Sequence, residues 1–305
     1  MANVTEAIMD TAGFVPEIWG QKAIKVLRAN TVMGRLVSRD TDYSNEFSKG
    51  DVLNIPYPGT FTAQDKAADT PVTLQTPSGG ATVQVTLNKH KHVSFLLEDV
   101  AAAQANDFAM DRYIDAAVAP LAEAIDSDLL ALATGFSVSV GTFGTDLTAA
   151  TIRAAAKALD DAKVAQSKRH LVMGSKDKWA LMADSALATY FAYSKPEVIT
   201  NGSIGRLYGL DLHMSQLIVV DTVPAPDEAD NLAFREDAIM LAMRKMRSPE
   251  KGTGAKVAHI TDPTSGYIIR VVWAYNATYL ATQVTLDVLY GVKELSDARG
   301  VWVKS

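Results

Sequence analysis

Apolar residues recur every third or fourth position between residues 97 and 134, in LEDVAAAQANDFAMDRYIDAAVAPLAEAIDSDLLALAT, where Ile114, Val118, Leu121, Ile125, Leu129 and Leu132 share one stripe. That spacing predicts a long helix with one buried face. Pro120 falls inside the pattern, where it removes a backbone donor and crowds the preceding turn. A bend or a break between two helices is expected there, and Gly135 suits the helix end.

The stretch before this helix has a different period. In KGDVLNIPYPGTFTAQDKAADTPVTLQTPSGGATVQVTLNKHKHVSF, Val83, Val85 and Leu87 alternate with Thr82, Gln84 and Thr86, as in a half-buried strand. Between strand-like ends, residues 59–79 hold Gly59, Pro71, Pro77 and Gly79 and few large apolar side chains beyond Phe61 and Leu74. Such a stretch cannot build its own core. A two-stranded extension this long is unstable alone in water, so it is expected to rest on something, a neighbouring molecule being one candidate.

Further along, the pattern alternates: a helix over about 148–165, the strand RHLVMG, a helix after Ser175, then NGSIGRLYG and the strand LDLHMSQLIVV. This is α/β in character, whereas the close, GYIIRVVWAYNATYLATQVTLDVLYGVKELSDARGVWVKS, is rich in β pattern. At the other end, QKAIKVLRAN reads as a short amphipathic helix with Ile24 and Leu27 at helical spacing, within a segment that looks peripheral. No fixed-period repeat is present.

Composition narrows the classes. The chain has 305 residues, 48% of them hydrophobic and 21% charged, enough to bury a sizeable core as one elaborate domain or two modest ones. It has no cysteine, which excludes disulfides, thiolate nucleophiles and thiolate zinc sites. The first twenty residues lack Lys and Arg, so the basic region of a secretory signal is missing, and no apolar run reaches the length of a membrane span. A net charge of −6 argues against a broad basic face for gripping nucleic acid. Residues 21–49 are nevertheless locally basic, with Lys22, Lys25, Arg28, Arg35, Arg39 and Lys49 against Asp40, Asp42 and Glu46, which suits a solvated helix face or a partner contact.

Candidate chemistry is thin. Gly202, Gly205 and Gly209 run G-x-x-G-x-x-x-G into a strand, not G-x-G-x-x-G into a helix, so they serve as turn residues and cradle no phosphate. KGTGAKV lacks the P-loop spacing. His90 and His92 would share one strand face but have no evident third ligand, and His170, His213 and His259 each stand alone in sequence. Glu123, Asp126 and Asp128 lie off the apolar stripe and read as a solvated face. The acidic loop with Asp221, Asp227, Glu228 and Asp230 lacks EF-hand spacing, and Trp19, Trp179, Trp273 and Trp302 are dispersed. No catalytic, cofactor or metal site is expected.

The order of parts resembles that of the major capsid protein of tailed phages, with the Hong Kong 97-like fold. FAMDRYIDAAVAPLAEAIDSDLLALA, GSIGRLYGLDLHMSQLI, FREDAIMLAM and DVLYGVKELSDARGVWVKS carry the resemblance, including Asp237, Ala238 and Ile239 and the turn at Tyr290 and Gly291. It implies an α+β fold in four parts. Residues 1–46 would be the N-arm, 47–95 the extended loop, 96–145 with 267–305 the peripheral domain with its spine helix, and 146–266 the axial domain. It implies self-assembly into pentamers and hexamers that form an icosahedral shell around double-stranded DNA, in a virion assembled in the host cytoplasm. Lys49, Asp51, Asp65, Lys66 and Asp69 of the loop and Arg28, Arg35 and Arg39 of the arm are the expected intersubunit contacts. Gly202, Gly205 and Gly209 are the expected turns of the axial domain. A separate scaffolding protein, a portal, a decoration protein and non-specific contact with packaged DNA are the partners the resemblance suggests, with no membrane. Some family members weld subunits by a lysine–asparagine isopeptide bond; Lys66 is suitably placed, but no asparagine partner can be named, so that chemistry is not carried over.

Three rivals remain open: an encapsulin-like nanocompartment shell, which shares the fold and differs in cargo; a minor virion or tail component; and an α/β enzyme using histidine and carboxylates.

Overall fold

The computed structural model describes Ala23 and residues 31–39, 52–57, 61–76, 81–98, 107–184, 205–218, 228–249, 254–261 and 267–305. The apolar stripe forms α1 (Asp107–Leu130), continued by a 3-10 turn (Ala131–Gly135). Val118, Leu121, Ala122, Ile125 and Leu129 are buried along one face. The expected break at Pro120 does not occur, for the helix is a single element across it. Ala116 and Pro120 both lie on the exposed side, so water can take the carbonyl that the missing proline N–H leaves unpaired.

The first sheet is built on β13 (Ala281–Glu294). Residues 281–287 pair with β12 (Ile268–Asn276) on one edge, while 281–290 pair with β4 (Lys89–Glu98) on the other. Its last six residues carry β10 (Ile239–Arg244), all antiparallel. Strand β11 (Lys256–Thr261) adds to β12, and β1 (Ser38–Arg39) adds in parallel to β10. Helix α1 packs with Tyr267, Ile269, Val271, Val284, Leu286, Val288 and Tyr290 in the largest apolar core.

The second sheet runs β5 (Ser139–Gly141), β14 (Gly300–Lys304), β9 (Asp230–Arg235), β6 (Arg169–Met173), β8 (Leu210–Met214) and β7 (Arg206–Leu207). Its central strands β14, β9 and β6 are apolar on both faces. Leu171, Met173, Ala233, Val301 and Val303 pack with α2 (Ala149–Asp161) and α3 (Ser175–Ala183). Their neighbours Val172, Leu232, Phe234 and Trp302 point the opposite way, into the core that holds α1 and the first sheet.

The sheets divide the chain differently from the boundary expected at 266/267. Strands β10 and β11 pair with the segment after 267, and β14 pairs with β9 in the second sheet. Pairing partners lie as far apart as Ser38 and Met240, about two hundred residues, and the period of a strand says nothing about which edge it joins.

Candidate assembly surfaces

Strands β2 (Val52–Tyr57) and β3 (Ala81–Thr86) form an antiparallel hairpin base, with Val52 opposite Thr86 and Tyr57 opposite Ala81. One face is anchored: Leu53, Ile55, Val85 and Leu87 pack on Met240 and Ala242 of β10. Beyond the base, every residue of 61–76 except Gln75 is exposed. Gln75 bridges the two limbs, accepting from the Thr62 N–H at 3.1 Å and donating to the Thr62 carbonyl at 2.6 Å. The tip turns at Ala68 and Asp69, where Asp69 adopts φ +58° and the Thr70 hydroxyl donates to the Ala67 carbonyl at 2.8 Å.

The exposed limbs carry Phe61, Val72 and Leu74, with exposures of 67%, 70% and 93%. Covering a large apolar side chain stabilises by about 2 kcal/mol, so these three are an unspent contact energy that the chain's own fold does not use. Asp65, Lys66 and Asp69 make no ion pair with any other described residue. Lys49 and Asp51 lie outside the described residues.

The segment 31–39 is not peripheral. Met33 and Val37 are buried in the main core, and Arg35 and Arg39 are engaged within the chain. Arg35 Nε donates to the Thr31 carbonyl at 2.8 Å, and Arg39 Nε donates to the Gly34 carbonyl at 2.7 Å while its guanidinium lies 4.8 Å from the Tyr267 ring centroid. Thr31 and Tyr267 share a hydroxyl–hydroxyl bond of 2.8 Å. A side chain at position 34 would collide with the Tyr267 hydroxyl, so Gly34 is required by close approach. Arg28 lies outside the described residues.

Asp126 of α1 holds this segment, correcting the reading of a solvated acidic face. Its carboxylate is 1% exposed and accepts the N–H groups of Val32, Met33 and Gly34 at 2.5, 3.2 and 3.0 Å. Burial pushes its pKa above the ordinary value despite those three bonds and the nearby Arg35 charge. Asp128 accepts from Tyr290 Oη at 2.6 Å and pairs with Lys89 at 2.7 Å. Burial opposes its ionisation, but these two partners outweigh it and hold the carboxyl below the usual value. Glu123 is exposed as expected.

The histidines do not all stand alone in space. His170 of β6 and His213 of β8 meet across adjacent parallel strands, with Nδ1 and Nε2 3.3 Å apart. His90 contacts Asp287 at 3.0 Å; Asp287 also receives Arg270, and His92 is exposed. His259 Nε2 lies 2.8 Å from Ser248 Oγ, but no carboxylate meets its other nitrogen. Among the described residues no three His, Asp or Glu side chains gather as a metal site, and no helix is long and apolar enough to cross a membrane.

Gly209 sits with Tyr208 at the two-residue turn joining β7 to β8, with φ +84° and +47°, the geometry in which glycine relieves a clash. Gly205, at φ +72°, precedes β7 and accepts from Leu212 N–H at 2.9 Å. Gly202 lies outside the described residues, as do Asp221 and Asp227 of the acidic loop, whereas Asp230 accepts from Trp302 Nε1 at 2.8 Å.

No protein-family model and no curated protein matches the chain. Solved structures do. A structure of Mycobacterium phage Che8 matches with a TM-score of 0.65 and 20% identity, covering 90% of each chain. The capsid structure of cyanophage P-SCSP1u matches with a TM-score of 0.64 and 14% identity, over 90% of this chain and 87% of that one. The capsid of Ralstonia phage GP4 follows at 0.60 and 12%, over 90% and 88%. At such identities the likeness lies in the path of the backbone, and along nearly its whole length this chain has the fold of phage capsid proteins.

Proposed function

We propose that the chain is a major capsid protein of a tailed phage, which assembles through pentamers and hexamers into an icosahedral shell around double-stranded DNA. The carrying observation is the agreement of fold over 90% of this chain and at least 87% of each of three phage structures, two of them capsids. The uncovered apolar limbs of residues 61–76 support it, because such a loop gains stability only against another molecule. In a closed shell every copy offers the same surface, so modest contacts are multiplied by symmetry.

In this reading residues 47–95 reach over a neighbouring copy, with Phe61, Val72 and Leu74 supplying area and Lys49, Asp51, Asp65, Lys66 and Asp69 supplying register. Residues 1–46 form the arm. Arg28 would contact a neighbour, while the ties of Arg35 and Arg39 to Thr31, Gly34 and Tyr267 favour a role at the arm's root. The sheets favour a peripheral part that includes β10 and β11 and an axial part that includes β14. A scaffolding protein, a portal and a decoration protein are the partners proposed, with assembly in the host cytoplasm and loose contact with packaged DNA.

Expression of the chain alone and with its candidate scaffolding protein, followed by velocity sedimentation and negative-stain imaging, tests the proposal. Closed shells of tens of nanometres, or rings of five or six subunits, are expected. A monomer or small dimer under both conditions would overturn it. Nuclease-protected DNA inside the particles, as opposed to protein cargo, separates a genome shell from a nanocompartment.

A further inference from the structure

The contact between His170 and His213 is the one place among the described residues where two imidazole nitrogens meet within hydrogen-bonding distance. The two strands that carry them are neighbours in the second sheet, and β8 continues through a two-residue turn into the edge strand β7. His170 also packs on the Phe234 ring, with centroids 5.9 Å apart, so the pair is seated against the core and not free to swing away.

A separation of 3.3 Å between Nδ1 of one ring and Nε2 of the other requires one nitrogen to donate and the other to accept. Two neutral rings satisfy this, and so does a pair carrying a single extra proton. A second proton leaves two N–H groups, and two positive charges, pointing at each other. The surrounding charges do not rescue that state. Asp211, on β8, is paired with Arg206, and Glu236, beyond β9, is paired with Lys168. Asp211 favours protonation of both rings and Glu236 that of His170, but Arg35 of the 31–39 segment opposes it at His213, Lys168 opposes it at His170, and burial outweighs the carboxylates at both rings.

We propose that this contact is an acid-sensitive joint: neutral or singly protonated, it ties β6 to the β7–β8 hairpin, and double protonation parts the hairpin from the sheet. The direction of titration agrees. Burial first, then mutual repulsion for His170 and the Arg35 charge for His213, lower both pKa values below the usual 6.5. A histidine depressed in the folded state contributes stability that is present above its unfolded pKa and is lost as pH falls below it. The joint holds at neutral pH and weakens on acidification. Opening frees the turn at Tyr208, which is already 43% exposed, and makes the hairpin the first part of the second sheet to respond to acid.

Amide hydrogen exchange on the full chain, over about pH 7.5 to about pH 4.5 and corrected for the intrinsic pH dependence of exchange, tests the joint. The peptide covering residues 206–214 is compared with one covering 284–292 of the first sheet, in the wild type and in His213→Gln. The expected result is selective loss of protection in 206–214 of the wild type as pH falls, with a steeper than one-proton dependence, and a flattened response in His213→Gln. Equal loss in both peptides, a pH-independent wild type, or an undiminished response in His213→Gln overturns the proposal. Should the variant not fold, the ratio between the two wild-type peptides alone decides. The measurement reads a single chain, so its outcome does not depend on whether shells form.

Discussion

A single carboxylate on the long helix organises more of the chain than its place in the sequence suggests. Asp126 gives its two oxygens to three consecutive backbone N–H groups, replacing the partners that a bare helical turn at 33–35 lacks. Asp126→Ala leaves those donors buried without acceptors and is expected to cost about 2–5 kcal/mol in chemical denaturation. Asp128→Ala, at a side chain 22% exposed that holds Lys89 and the Tyr290 hydroxyl, should cost less. A denaturation series in which the two variants fall together would contradict this. The pH dependence differs in sign from that of the histidine joint. Because burial raises the Asp126 pKa above 3.8, its contribution is fullest below that unfolded value and is lost as pH rises through the folded one. The charge is carried at neutral pH at a cost, which the three N–H bonds offset only in part.

At the scale of elements, the hairpin separates anchoring from reach. Leu53, Ile55, Val85 and Leu87 fix its base on β10, while Phe61, Val72 and Leu74 face water. Replacing Phe61 and Leu74 together by serine should leave the melting temperature of the unassembled chain within a degree or two, since neither side chain is buried within it. The same change should shift sedimentation sharply toward unassembled chains; shells formed at wild-type yield would remove the loop from the assembly contacts. These elements were largely legible in advance, because period three-to-four and period two are local signals: the stripe through Leu121 and Leu129, and the alternation at Val83, Val85 and Leu87. What escaped was set by partners distant in sequence. Asp126 lies off the stripe, yet its partners are backbone groups 92 to 94 residues away, which no side-chain pattern marks. His170 and His213, 43 residues apart, meet only because β6 and β8 pair in parallel. Pro120 misled for a related reason: the cost of a proline depends on which side of the helix its lost bond faces.

The two sheets belong to one unit in energetic terms. Strand β14 lies between β5 and β9, turns Val301 and Val303 toward α2 and α3, and turns Trp302 toward the core that α1 and the first sheet also share. Gly300 leaves no room for a side chain against Phe136, and Ser305 donates to Asp177 at 2.8 Å beside Asn231, all three buried. Removing residues 300–305 would bare the β9 edge, leave Asp177 and Asn231 short of a partner, and withdraw two buried valines worth about 2 kcal/mol each. That total is a large part of the roughly 5–15 kcal/mol by which folded domains exceed their unfolded states. Because Val172, Leu232, Phe234 and Trp302 join the core of Leu286 and Val288, the loss should not stay in the second sheet. Amide exchange in the truncated chain is expected to show protection falling in 284–292 as well as in 169–173. Protection retained in 284–292 at wild-type levels would mean that the two sheets unfold independently and that the shared core transmits little.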